Sequence, residues 1–258
     1  SMGPNEKFMA RVLPWWPWGC GSRTMDCGAA AEKLAAEKHA VMTDPEALDR
    51  DDPLAARRAL FDLPAGVIYL DGNSLGPLPH AARDRMRAVI DGEWGEGLIR
   101  SWNTAGWIDL PQRVGDRIAR LIGAPAGSVI AADSTTLNVT KALAAAVALR
   151  PDRRVILTDS GNFPTDIYAA EGLARLLGRG HEVRLVAPAD LAAAIDDTIL
   201  AVLVTEIDYR TGARHDLPAL TQRAHDCGAL AIWDLAHSAG AFPMDVAAGG
   251  ADFAVGCG

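Results

Sequence analysis

The sequence predicts an α/β fold in which a mostly parallel sheet is covered by helices on both faces. Three observations lead there. Strand-like and helix-like stretches alternate along the second half of the chain. Apolar runs such as Ala229–Asp234 (ALAIWD) stop abruptly on polar residues, as strands do whose carboxyl ends open on a ligand site. The chain has 258 residues, 49% of them hydrophobic, enough for a sizeable core.

Residues 1–41 stand apart. SMGPNEKFMARVLPWWPWGCGSRTMDCG has no usable hydrophobic period, and Pro14 and Pro17 break its apolar stretch, which argues against a signal peptide. AAAEKLAAEKHA reads as a short exposed helix with Glu/Lys pairs. We read residues 1–41 as a non-native or disordered extension, with Met42 as a natural start; a tryptophan-rich anchor is the alternative. Residues 42–110 form an N-terminal arm with helices. DPEALDRDDPLAARRALF is a helical entry, and GVIYLDGNSLGPLP a short strand and turn-rich loop. HAARDRMRAVIDGEWGEG and IDLPQRVGDRIARLIG are amphipathic helices, the second leading into the large domain, residues 111–258. There SVIAADSTT, RRVILTDS, HEVRLVA, TILAVLVTEID, ALAIWD and ADFAVGCG read as strands. LNVTKALAAAVAL, DIYAAEGLARLLG, PADLAAAIDD and LPALTQRAHDCG read as the helices between them.

Composition narrows the function. A net charge of −8 argues against nucleic acid or an anionic membrane as partner. No apolar run is long enough to span a bilayer. Cys20, Cys27, Cys227 and Cys257 are irregularly spaced, which points to reduced thiols in a cytoplasmic protein with no metal site. Lysine is scarce: after Lys38 the chain has Lys141 and no other.

Four polar clusters fall at expected strand ends: Asp133–Thr136, Asp159–Asp166, Thr205–Asp208 and Asp234–His237. DSTT opening a helix suits an anion such as a phosphate, and equally an ordinary N-cap. No Walker lysine spacing and no G-x-G-x-x-G occurs, so a nucleotide phosphate loop is not supported. Phe163 in GNFPTD could stack on a flat ring or tuck into the core. Asp234 ends an apolar strand, where a carboxylate needs a partner. A protonated ring nitrogen, as in pyridoxal phosphate, is one; the cap of a following helix is another. His237, one helical turn on, could lie near such a ring or its phosphate, or be a satisfied surface residue.

Taken in order, YLDGNSLGPLP, LIRSWNTAGWIDLP, DSTTLNVTK, NFPTDIY and WDLAHSAGAFPMD resemble kynureninase, a family of fold-type I pyridoxal-phosphate enzymes. The resemblance runs from about Asp44 to Gly258. It implies a PLP-dependent transferase-like large domain of the aspartate aminotransferase type, with a small C-terminal domain missing. It implies hydrolysis of the Cβ–Cγ bond of L-kynurenine or 3-hydroxykynurenine to an anthranilate and L-alanine, in a homodimer. By carry-over, Thr135 and Thr136 would hold the phosphate and Phe163 would stack on the ring. Pro164, Thr165, Asp166 and Thr205 would contact the cofactor. Asp234 would pair with the pyridinium nitrogen, with His237 beside it as a further catalytic residue. Ser74, Trp102 and Asn103 would line the substrate pocket.

One departure accompanies the resemblance. The family's cofactor-binding lysine is expected just after the GC of ADFAVGCG, and this chain ends at Gly258. Lys141, on a helix after the phosphate loop, is expected to face solvent or a neighbouring acid rather than replace it. The chain by itself is therefore expected to be inactive unless its other half is supplied in trans. Two competing readings remain: another fold-type I enzyme, such as a cysteine desulfurase or aminotransferase, and a non-catalytic α/β binding fragment.

Overall fold

The structure, a computed structural model, describes residues 44–72 and 74–257. The expected N-terminal extension, its helix, and Cys20 and Cys27 lie outside the described residues. The chain divides into two compact units, Ser1–Arg58 and Ala59–Gly258. The described part of the first holds helix α1 (Pro45–Asp51), capped where Asp44 Oδ1 accepts from the Glu46 N–H.

The second unit opens with a two-residue antiparallel pair, β1 (Phe61–Asp62) and β2 (Leu78–Pro79). Three helices follow: α2 (His80–Ala88), the short α3 (Ser101–Thr104) and α4 (Leu110–Ile122), which Gly123 ends in the left-handed region at φ 67°. The α/β succession is then α5 (Thr135–Leu149), β3 (Val155–Asp159), α6 (Pro164–Leu177), β4 (Glu182–Val186), β5 (Ile199–Thr205), α7 (Leu217–Asp226), β6 (Leu230–Asp234) and β7 (Phe253–Val255). The sheet order is β4-β3-β5-β6-β7, parallel throughout.

Helix spacing explains how this sheet is covered. On α5, Val139, Ala142, Leu143 and Ala146 recur at one face; on α7, Leu217, Leu220, Thr221 and Ala224 do the same. Alternate strand residues point to opposite faces. Ile156, Ala201, Leu203 and Ile232 pack with α5 and with Ala170 and Leu173 of α6. Leu157, Val202, Val204, Ala231 and Trp233 pack with Ile122 of α4, Leu220 and Ala224 of α7, and Leu191 and Ile195. All seven residues of β5 are buried. Each large apolar side chain so buried contributes about 1.5–3 kcal/mol of transfer energy.

Three expected elements differ. The strand expected in SVIAADSTT is an unpaired extended segment. Its backbone bonds go to α4 instead: the Ala131 N–H donates to Pro111 O, and Gln112 Nε2 donates to Val129 O. Gly115 makes that approach possible, since a Cβ there would lie 2.0 Å from Val129 O. The run Val67–Leu70 forms no strand, and Ile68 and Leu70 stay exposed. PADLAAAIDD gives just the 3-10 turn Pro188–Asp190. The Arg223 guanidinium takes the carbonyls of Ala192 and Ile195, which a helix would have used. After Asp234 comes a series of turns rather than a helix, because the Leu235 N–H donates to Val255 O of β7.

Candidate active site

Parallel pairing brings the polar ends of neighbouring strands to one rim. Thr205 and Asp234 are direct partners in the β5–β6 register, and the Glu206 N–H donates to Asp234 O. At the end of β3, Asp159 Oδ1 accepts from the Gly161 N–H, turning the chain sharply into GNFPTD. Pro164 then starts α6, where its missing N–H does no harm. Asp166 therefore sits in the first turn of α6.

Two carboxyl groups meet here. Asp166 is fully buried and Asp234 is 2% exposed. Neither Asp166 oxygen has a hydrogen-bond donor among the described residues. Burial and the facing Asp234 carboxylate push the Asp166 carboxyl up to about 8. Burial also raises Asp234, against the pull of the Ala236 N–H, the Asp166 carboxyl and His237. Two facing acids in a low dielectric resist ionising together, so at neutral pH the pair keeps a proton. Such a pair calls for a cation or an N–H donor.

Aromatic rings surround the pair's rim. Phe163, half-buried, lies 6.3 Å from the His237 ring. Tyr209 meets Phe163 edge-on at 5.2 Å and stacks on His237 at 6.2 Å. His237 thus neighbours Phe163 and Tyr209, carried by the turn after β6 and not by a helix. Thr205 is turned elsewhere: its hydroxyl donates to Asn162 Oδ1 at 2.5 Å, leaving its lone pairs alone for a ligand. Pro164 and Thr165 are half-buried in the opening turn of α6.

Thr135 and Thr136 are the first two residues of α5. Ser134 is its N-cap, accepting from the Leu137 N–H, so the helix dipole and free N–H groups face the loop. Asp133 adopts φ 49° and pairs with Lys141, the neighbouring acid expected for that lysine. Ser74, Trp102 and Asn103 are not joined to this rim by any described hydrogen bond or ring contact. Ser74 lies in an exposed turn whose N–H donates to Asp71 O, and Trp102 packs edge-on against Trp107. Asn103 is exposed on α3.

Sequence reading missed Asn162, Tyr209 and His215. Asn162 is buried between strands, and His215 Nε2 lies 3.2 Å from Asp159 Oδ2. Tyr209 and His215 ride on a hairpin closed by the Ile207–Arg214 bridge and by the buried Glu206, which pairs with Arg214 at 3.0 Å. The run EIDYRTGARHD, with Gly212 at φ 71°, carried the turn signal that marks such a hairpin.

The open parallel sheet with its polar rim at the carboxyl edge agrees with the fold-type I, aminotransferase-like architecture of the proteins it matches. Residues 68–258 match the aminotransferase class-V family, and the chain belongs to it. It is 56% identical over 216 residues to the kynureninase of Pseudomonas fluorescens, covering 82% of this chain and 52% of that protein. The kynureninase of Burkholderia pseudomallei (strain K96243) matches equally, so the chain spans about half the length of these relatives. Solved structures agree on the fold. The Escherichia coli cysteine desulfurase CsdA superposes with a TM-score of 0.59 at 21% identity, covering 78% of this chain and 53% of that one. A C-DES variant with glycine covalently linked to its PLP cofactor superposes at 0.66 and 19% identity, covering 78% and 55%.

Proposed function

We propose that this chain carries the cofactor-binding part of a pyridoxal-phosphate-dependent kynureninase. The observation that supports it most is the buried Asp166–Asp234 pair: neither Asp166 oxygen has a donor among the described residues and Asp234 accepts from the Ala236 N–H, so the pair suits the N–H of a flat cationic heterocycle. The residues present fit the rest of that group. Phe163 offers a face for the ring, and the N-terminus of α5 with Thr135 and Thr136 offers N–H and hydroxyl donors for the phosphate. The similarity to kynureninases directs the choice of substrate to kynurenine or its 3-hydroxy form.

The bound cofactor would supply an electron sink for the charge that develops on the substrate's α-carbon. Asp234 would keep the ring nitrogen protonated, and Asp166, holding its own proton, would donate to Asp234 and prevent a second negative charge from facing the ring. His237 would stand beside the ring as a proton carrier or hydrogen-bond partner. Thr205, its hydroxyl proton engaged by Asn162, would accept from the cofactor and not donate. Lys141, tied to Asp133, takes no part. The complete cycle also draws on the half of the relatives that this chain does not span. We propose Ser74, Trp102 and Asn103 as substrate residues of that complete assembly, and residues 111–258 as its cofactor-binding body.

The same proposal includes a cytoplasmic homodimer. The exposed side chains of Ile68, Leu70 and Ile99 support a subunit contact, and among the described residues no helix is long and apolar enough to cross a membrane. The desulfurase and aminotransferase alternatives are supported by fold alone.

Binding of 4′-deoxypyridoxine 5′-phosphate, which lacks the aldehyde and so needs no lysine, tests the site directly. Asp234→Ala is expected to weaken binding at least about tenfold, the worth of one charged hydrogen bond. Equal affinity in the variant would sink the site. For the full-length protein, anthranilate released from kynurenine supports the substrate, and sulfide from cysteine refutes it.

A further inference from the structure

Asn162 is 5% exposed, and every hydrogen-bonding valence of its side chain is engaged. Its Nδ2 donates to Thr158 Oγ1 at 2.8 Å on β3 and to Leu203 O at 3.2 Å on β5. Its Oδ1 accepts from the Phe163 N–H at 2.7 Å and from the Thr205 hydroxyl at 2.5 Å. The orientation is forced by the partners: a peptide N–H can meet only the oxygen, and a peptide carbonyl only the amide nitrogen. One side chain thus ties the ends of two central strands to the residue that precedes α6. From there the Asp166 N–H donates back to Phe163 O at 3.0 Å, so the first turn of α6 hangs on the same point.

We infer that Asn162 is the positioning residue of the rim: its amide locks Phe163 and the first turn of α6 against β3 and β5, and thereby sets Asp166 against Asp234. It touches neither carboxyl and acts through Phe163 and Thr205. An aliphatic replacement would leave the Phe163 N–H and the Leu203 carbonyl unanswered in a buried place. The α6 turn would then drift from β6. The consequence for a bound coenzyme rests on the function proposed here; the effect on the acid pair does not.

The test uses the full 258-residue chain with ¹³C-carboxyl-labelled aspartate. Asn162→Ala is expected to lower the upper titration midpoint of the Asp166–Asp234 pair by about one pH unit, a tenfold change in proton affinity. Amide exchange at Asp166 and Ile167 should rise about tenfold, for about 1.4 kcal/mol of lost local stability. Leu143→Ala, a cavity in the α5 layer, should lower the melting temperature and leave both readouts in place, which separates positioning from general destabilisation. Thr158→Val and Thr205→Val each remove one of the Asn162 bonds, so both should shift the pair partway. Wild-type values in Asn162→Ala, or in both milder variants should Asn162→Ala not fold, overturn the inference. Affinity for 4′-deoxypyridoxine 5′-phosphate separates the two claims. A wild-type chain that ignores the probe while Asn162→Ala still shifts the pair sinks the coenzyme reading and keeps Asn162 in its role.

Discussion

The runs Val67–Leu70 (VIYL) and Ala201–Thr205 (AVLVT) have similar composition and opposite fates. In β5 every residue is buried, whereas Ile68 is 87% and Leu70 90% exposed. The difference lies in what stands on either side. β5 has β3 and β6 to complete its backbone bonds and helices over both faces; Val67–Leu70 has no ladder partner among the described residues. Apolar character favours a strand, and a neighbour decides whether one forms.

Truncating both runs gives the largest expected contrast. Leu203→Ala should destabilise the chain by about 2–5 kcal/mol, because the close-packed layer against α5 cannot collapse around the void. In the monomeric chain, Ile68→Ala should change stability by less than about 0.5 kcal/mol. Denaturant melts of both variants measure this, and equal losses would break the comparison.

The next effect concerns a rim that has neighbours but lacks a charge partner. Asp166 and Asp234 are both raised in the folded chain, so between about pH 4 and pH 8 the folded state holds more protons than the unfolded state. Their contribution is most favourable below the unfolded carboxylate range and is lost as pH rises toward about 8. The ligand-free chain should therefore melt lower at pH 8 than at pH 5, by an amount on the order of a few kcal/mol. Asp166→Asn should flatten that fall. A wild-type profile that rises over the same window would contradict the shared proton.

Gly115→Ala probes how a would-be strand is held without a ladder. The added methyl meets Val129 O, and the segment 128–133 should lose its seat on α4, at about 1–3 kcal/mol by thermal melting. The smallest effect is expected at Lys141→Ala. That ion pair with Asp133 lies on the surface, and its loss should alter stability by no more than about 1 kcal/mol. Affinity for 4′-deoxypyridoxine 5′-phosphate should stay within twofold, and a larger loss would return Lys141 to the site.

Much of the sheet was legible. Val155–Asp159, Glu182–Val186, Ile199–Thr205, Leu230–Asp234 and Phe253–Val255 all lie within expected strands, because each is a short run, apolar or, in Glu182–Val186, alternating, bounded by turn residues. Of the site, DSTT, NFPTD and DLAH were visible as polar clusters at expected strand ends, although the segment before DSTT joins no ladder. Asn162 was not, since an Asn in a loop reads as a turn former, and its burial depends on Leu203 and Thr205, some forty residues away. Tyr209 was hidden for the same reason: the hairpin that lifts it to Phe163 is closed by Glu206 and Arg214.

By itself the sequence determined periodicity and punctuation: which runs are apolar enough to be buried, where helices start, and which polar residues end the strands. The tertiary structure alone decided which of those runs found a ladder, and that Asp166 and Asp234, far apart in the chain, share one dry space. Local pattern follows from the period of each residue's own side chain. Pairing and proton affinity depend on neighbours that only the folded backbone brings within a few ångströms.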